Sequence, residues 1–170
     1  MKVMKIKITF LFVIGFLFFI FSCKKNHDES LRVMIKSPVI GGYGKYEESK
    51  FLFSGDQVLL YNLTTGEIRL IFLKPSQLIS ESKLSIFLND KCLLDTIPVS
   101  TSLSSYMYND LVFYFDFNKF YLLFGYPPFI PEHWQDKDKM RKEREENFNK
   151  RKEGYDIFIE HLKKNGKIVE

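Results

Sequence analysis

Residues 111–124 read LVFYFDFNKFYLLF, and this stretch decides the fold. Two runs rich in aromatic and aliphatic side chains flank the polar dipeptide Asn118-Lys119, which predicts a β-hairpin. A two-residue turn at this dipeptide would place Phe117 opposite Phe120. Because side chains alternate between the two faces of a strand, one face of the hairpin is then wholly apolar and belongs in a core.

The opposite face of this hairpin is also too apolar to face water uncovered. It carries Val112, Tyr114, Asp116, Tyr121 and Leu123. An antiparallel sheet commonly leaves one face solvated, but a face of this composition needs at least a partial cover. We expect the C-terminal helix to supply that cover.

A long helix is predicted from about residue 136 to about residue 165. Its first half carries opposite charges at i,i+4 spacing, typical of a solvated face, whereas apolar residues recur at helical spacing in its second half. Gly166 would end it as a C-terminal glycine cap. Gly154 has low helix propensity and marks a point at which the helix can bend.

Further hairpins are predicted on the N-terminal side of this region. Turn sequences at 63–66 and 89–90 each separate two β-rich runs, and residues 31–35 alternate as a first strand. Pro98 has no backbone N–H and is expected to end its strand or to lie at an edge. Together these patterns predict an α+β fold, in which an antiparallel, hairpin-built sheet of about six or seven strands packs against one long C-terminal helix.

The N-terminus has the composition of a secretory signal. Three lysines precede an apolar run from residue 8 to residue 21, and Lys24 and Lys25 follow soon after that run. A transmembrane helix needs about 20 apolar residues, so this run is too short to cross a bilayer.

The motif that follows, Ile20-Phe21-Ser22-Cys23, resembles the lipobox of bacterial lipoproteins. Phe21 fits the relaxed form of that motif found in some Gram-negative groups. The resemblance implies cleavage before Cys23, a diacylglycerol thioether on its sulfur and a third acyl chain, such as palmitate, on its amine. Since each buried methylene contributes about 0.8 kcal/mol, two or three chains would anchor the protein permanently. An ordinary signal or an uncleaved anchor is the alternative.

The lipobox divides the chain into three predicted parts. These are a removed signal peptide (1–22), the acylated Cys23 with a polar tether (23–30), and one globular domain (31–170) that ends in the helix. The resemblance implies a location in the cell envelope, and Lys24 directly after the cysteine favours the outer membrane. The periplasmic face and the outer face both stay open.

Residues 111–169 are also similar in style to small Gram-negative lipoproteins. The similarity rests on Asn-Asp-Leu-Val-Phe at 109–113, a Gly-Tyr-Pro loop at 125–127 and Asn-Gly-Lys-Ile-Val at 165–169. That group has no established activity, so the resemblance implies no catalytic residue.

Composition argues against several classes of function. The formal net charge is +4, but removal of the signal leaves about +1, so nothing argues for nucleic acid. His27, His133 and His161 are scattered without metal-ligand spacing, and neither a metal nor a cofactor is predicted. Acylation of Cys23 would leave Cys92 alone, so no intramolecular disulfide is expected and Cys92 is predicted to be a small buried hydrophobe.

The segment 125–134, between the hairpin and the helix, is the candidate binding surface. Three prolines stiffen it, and it carries Tyr126, Phe129, His133 and Trp134. These rings either form a rigid platform that stacks on a sugar ring or grips a partner, or they staple the loop over the edge of the sheet.

The sequence favours a lipid-anchored, non-catalytic envelope module that binds a protein or glycan partner and is attached to the membrane through Cys23. One alternative is a hydrolase acting on glycan or cell wall, with Asp95, Asp110 and Asp116 among the carboxylates that folding would bring together. Asp110 is otherwise expected to be a turn residue at the entry to a strand. A second alternative is a purely structural envelope protein. No catalytic residue and no oligomeric state is predicted.

Overall fold

The structure, a computed structural model, describes residues 30–40, 42, 44–101 and 106–170. Within these ranges the chain forms nine β-strands and one α-helix. In chain order they are β1 (Leu31–Lys36), β2 (Lys50–Ser54), β3 (Val58–Asn62), β4 (Glu67–Leu70), β5 (Lys83–Leu88), β6 (Lys91–Thr101), β7 (Tyr108–Asp116), β8 (Lys119–Tyr126), α1 (Lys137–Lys164) and β9 (Ile168–Val169).

The strands form one sheet in the order β2-β1-β5-β6-β7-β8-β4-β3-β9. Strands β6 and β7 are parallel, as are β3 and β9, and the other neighbours are antiparallel. The predicted α+β class with one long C-terminal helix is confirmed. The predicted count of six or seven strands and the purely antiparallel sheet are wrong. Strand β9 has two residues, too few for an alternating pattern to reveal it.

The sheet curls until its two ends meet. Strand β2 lies at one end of the strand order and β3 near the other, yet only the three-residue 3-10 turn Gly55–Gln57 joins them. A Cβ atom at Gly55 would lie 2.8 Å from Cβ of Leu31, so this turn packs tightly against the first strand. The Lys167 Nζ atom donates a hydrogen bond to the Gly55 carbonyl at 2.6 Å and ties the end of the chain to the same place.

The hydrophobic core fills the concave face of this curl. Phe113, Leu122 and Phe158 are buried there with side chains from most of the strands. The buried hydroxyl of Tyr61 donates to the Leu122 carbonyl at 3.0 Å, which satisfies the one polar atom that its ring brings into the core.

The helix covers the phenylalanine face of the β7–β8 hairpin, so the prediction that it covers the Val112 and Tyr114 face is wrong. Phe124 makes edge-on contacts with Phe148 and Tyr155 of α1, at centroid distances of 4.8 and 5.2 Å. Both hairpin faces are apolar, so composition alone does not select between them. The curl of the sheet makes the choice, because only its concave face can wrap around a helix.

The hairpin turn lies one residue earlier than predicted, so the residue opposite Phe120 is two positions earlier than predicted. Asp116 lies opposite Lys119, and Phe115 lies opposite Phe120. The turn is therefore Phe117-Asn118, not Asn118-Lys119. The observed register places opposite charges across from each other and leaves the same residues on each face.

Strand β6 runs through Pro98 to Thr101, so the prediction that proline ends the strand is wrong. Pro98 lies opposite Lys83 of β5, and parallel pairing with β7 begins at the next residue, Val99. Proline is tolerated here because the ladder changes partners at this point.

Gly154 is a contact point between helix and sheet. The helix is continuous from Lys137 to Lys164. A Cβ atom at position 154 would lie 2.0 Å from the carbonyl oxygen of Leu93 in β6. Glycine is therefore needed because the helix backbone touches the strand backbone, and the helix is not interrupted there.

Gly154→Ala is expected to lower the free energy of unfolding by about 1–3 kcal/mol, because a clash with a backbone carbonyl cannot be relieved by side-chain rotation. Helix propensity alone predicts that the same substitution raises the free energy of unfolding by about 1 kcal/mol. Thermal unfolding followed by circular dichroism shows whether the substitution lowers or raises stability. Glu145→Ala, at an exposed position of the same helix, is the control and should change stability by less than about 0.5 kcal/mol. A Gly154→Ala protein as stable as the wild type contradicts the close contact.

Candidate binding surface

The candidate residues lie on the segment between β8 and α1, and residues 126–134 are called the aromatic loop below. The loop begins after Gly125, which is buried and has φ +91°. A Cβ atom there would lie 2.3 Å from Nε of Arg144, so the guanidinium of the helix lies directly over this glycine. Both the positive φ and the close approach require glycine at this position.

Arg144 holds the first part of the aromatic loop by its backbone. Its Nη2 atom donates to the Pro127 carbonyl at 2.9 Å and its Nη1 atom to the Pro128 carbonyl at 3.5 Å. Burial lowers the pKa of Arg144 from its usual value, but a guanidinium remains charged at any physiological pH. Asn109 of β7 accepts from Arg144 Nε at 3.4 Å and connects this clamp to the sheet.

Glu132 holds the second part of the aromatic loop. Its carboxylate accepts from Lys137 at 2.9 Å and also from Arg141, both on the first turns of α1. The hydrogen bond from Lys137, followed by that from Arg141, lowers the pKa of Glu132. The Trp134 N–H donates to the Pro131 carbonyl at 3.1 Å. The N-terminal half of the helix thus holds the first part of the loop by its backbone and contacts the second part through the Glu132 side chain.

The four candidate side chains have different environments. Tyr126 is half-buried and packs against Tyr114, with ring centroids 5.1 Å apart. Phe129 is 72% exposed, and His133 is also exposed. Trp134 is half-buried. Tyr126 therefore anchors the loop to the sheet, while Phe129 and His133 are presented to solvent.

A stacked tyrosine pair on the face of the hairpin that carries Val112 extends this surface, and the composition of the hairpin alone does not reveal it. Tyr114 and Tyr121 are cross-strand partners, and their rings stack at 4.6 Å with an interplanar angle of 8°. Burial, with smaller contributions from Tyr121 and Tyr126, raises the pKa of Tyr114 to about 12, so its hydroxyl is a neutral donor at pH 7. The signal was present in the sequence, but it becomes readable only when the hairpin register is known.

Asp110 forms a structural ion pair. Both its oxygens accept from Arg151 of α1, at 2.6 and 2.7 Å, and Arg151 also donates to the Asp95 carbonyl at 2.6 Å. Asp110 lies within β7, so the expectation of a turn residue before the strand is wrong. Its role is to hold the helix against the sheet.

Asp95 is stabilised as an anion. It accepts from the Ser85 hydroxyl at 2.6 Å and from the Thr96 N–H at 2.7 Å, and the Ser85 hydrogen bond is the main reason that its pKa is lowered. A general acid in glycoside hydrolysis requires the opposite, a raised pKa. Asp116 lies at the end of β7, opposite Lys119.

A groove of about 340 Å³ lies between β6 and α1. Its charged side chains are largely paired within the protein, for example Lys91 with Glu153 at 3.6 Å. Cys92 lines the groove and is exposed, so the prediction that it is a buried hydrophobe is wrong. Its neighbours still make it a poor nucleophile, because desolvation and the nearby Asp95 carboxylate raise the pKa of its thiol.

The described part of the chain contains no group of three or more His, Cys, Asp and Glu side chains that could hold a metal ion. His133 lies on the aromatic loop, whereas His161 is buried near the C-terminal end of α1. His27 lies outside the described residues, as do Cys23, the rest of the lipobox and the predicted signal peptide 1–22. None of the helices in the described ranges is long and apolar enough to cross a membrane.

Comparisons with protein-family models, with curated proteins and with solved structures find no match to this chain.

Proposed function

We propose that the chain is a lipid-anchored envelope protein, held at the outer membrane through Cys23, that binds a protein or glycan partner without catalysis. The binding surface is the aromatic loop. The observation that carries the proposal is the exposure of Phe129. Its side chain is 72% exposed, although Arg144 holds the backbone of the same loop against the helix.

A clamped loop with exposed aromatic rings is suited to binding. Ordering a mobile loop on contact with a partner costs free energy, and this cost falls when the backbone is already held in place. Aromatic side chains dominate the energetics of many interfaces because they bury a large area with few rotatable bonds. The exposed Phe129 ring contributes little to the stability of the fold. The free energy released when this ring is buried is therefore available for binding a partner.

The position of the aromatic loop agrees with an anchor at the N-terminus. The loop precedes the N-terminal end of α1, whose 28 residues span about 42 Å. The C-terminal end of α1 reaches Gly55, and Gly55 packs on Leu31, where the described strands begin. The tether therefore joins the domain at the end of the helix farther from the aromatic loop, which leaves the loop directed away from the membrane.

We do not propose a hydrolase. Both oxygens of Asp110 are paired with Arg151, and Asp95 accepts hydrogen bonds from Ser85 and from the Thr96 N–H. Carboxylates held in this way by neighbouring groups suit a structural role better than proton donation.

Phe129→Ala and Trp134→Ala are each expected to reduce capture of the partner at least about tenfold, because removal of an aromatic anchor at an interface costs about 2 kcal/mol or more. The measurement is pull-down from envelope extract, with isolated cell-wall glycan as a second arm. Phe51→Ala is the matched control, since Phe51 is exposed on β2, five places from β8 in the strand order. Melting temperatures must match the wild type for the comparison to count. Undiminished capture by both loop variants refutes the proposed surface.

Cys23→Ser is expected to abolish incorporation of radioactive palmitate and to release the protein from the membrane fraction. The physical reason is that the thioether and the new N-terminal amine, which carry the acyl chains, would no longer form. Cys92→Ser is the control, because Cys92 is the other thiol of the chain and should not affect labelling. Labelling that persists in Cys23→Ser contradicts lipid anchoring at this residue.

A further inference from the structure

Two phenylalanines just outside the strands are almost fully exposed and have an unusual backbone conformation. Phe72 follows β4, has φ +66° and is 85% exposed. Phe117 opens the β7–β8 turn, has φ +51° and is 89% exposed. They are called the phenylalanine tips below.

The hairpin turn explains the positive φ of Phe117, but folding does not explain why a phenylalanine stands at either position. A positive φ is disfavoured for a bulky side chain, and glycine or asparagine would serve each position at lower conformational cost. A ring that stays in water gains nothing from the hydrophobic effect. Strain that persists without a stabilising contact within the fold points to contact with something outside it.

The phenylalanine tips lie at the same end of the sheet. Strand β4 pairs with β8 through Glu67 opposite Tyr121 and Ile68 opposite Phe120, so the end of β4 runs toward the β7–β8 turn. In that register the Glu67 carboxylate lies 3.2 Å from Arg69 and 4.0 Å from Lys119.

This end of the sheet also lies close to the start of β1. The residue before Phe72, Ile71, donates its N–H to the Gln57 carbonyl at 2.8 Å. Gln57 closes the short turn whose first residue, Gly55, packs on Leu31. Phe72 is thus connected to Leu31 by a short chain of contacts.

The phenylalanine tips and the aromatic loop lie at opposite ends of one strand. Phe117 lies two residues before β8 begins at Lys119, and the aromatic loop starts where β8 ends at Tyr126. Eight residues of β-strand span about 27 Å.

We propose that Phe72 and Phe117 enter the interfacial layer of the bilayer to which Cys23 is attached. The proposal rests on the lipid anchoring proposed above. Residues 24–30 reach at most about 25 Å when fully extended, so the anchored bilayer lies within that distance of Leu31, to which Phe72 is connected through Gln57 and Gly55. Apolar tips of this kind bury their rings at the boundary between headgroups and acyl chains.

The charges around the phenylalanine tips are compatible with a membrane surface. Arg69 and Lys119 balance Glu67 and Asp116 at the base of the turn, so no excess negative charge opposes anionic headgroups. Farther out, the exposed residues Asp56 and Lys74 add one charge of each sign.

The test uses the full acylated chain, reconstituted in vesicles of phosphatidylethanolamine and phosphatidylglycerol with or without brominated acyl chains. Phe72→Trp and Phe117→Trp are each made in a Trp134→Phe background, so that one tryptophan reports from one place. Emission is expected to shift to the blue and to be quenched by the brominated lipid. Phe129→Trp in the same background is the control and should emit as in water without quenching, because it lies on the aromatic loop.

The outcomes separate this inference from the proposed function. A chain that floats with the vesicles but has unquenched tryptophan at both 72 and 117 overturns the membrane contact and leaves the anchor standing. A chain that does not float with the vesicles contradicts the anchor itself. Equal quenching at 129 and 117 overturns the proposed orientation of the domain.

Discussion

The structure depends on close docking of α1 into the curled sheet. At Gly154 the helix approaches the Leu93 carbonyl so closely that no side chain fits between them. One turn earlier, Arg151 joins Asp110 of β7 to the Asp95 carbonyl of β6, and thereby spans the two strands that pair in parallel. Further toward its N-terminus, the same face of the helix supplies the arginine that clamps the aromatic loop. The helix is therefore both the cover of the core and the support of the candidate binding surface.

Those parts of the fold that depend on local signals could be predicted from the sequence. Alternation and turn residues indicated the hairpins, and a charged-then-apolar pattern ending at Gly166 indicated the helix. The face that the helix covers could not be predicted, because both faces of the β7–β8 hairpin are apolar. That choice depends on the curl, and the curl depends on the short turn Gly55–Gln57 between two strands at distant places in the sheet. Non-local packing of this kind leaves no periodic signal in the chain.

The residues of the candidate surface could be predicted from the sequence, but the contacts that hold them in place could not. Three prolines and several rings within ten residues marked the aromatic loop. The contact between Arg144 and the loop could not be predicted, because in the sequence this arginine is one of many charged residues on the helix. The stacked Tyr114 and Tyr121 were also hidden, since their contact follows from strand register. Charged helix residues were interpreted as solvated by spacing alone, and only the docked geometry shows that some of them bind the sheet.

Amide hydrogen exchange of the full chain tests the central claim, that α1 is docked on the sheet through Arg144, Arg151 and Gly154. If the Arg151 and Gly154 contacts hold the helix, amides from about residue 144 to residue 158 should open with the same free energy as the central strand β7, as one cooperative unit. Fast exchange in this part of the helix, with β7 still protected, would contradict the account. In that case the aromatic loop would also lose the rigid support on which its binding role depends.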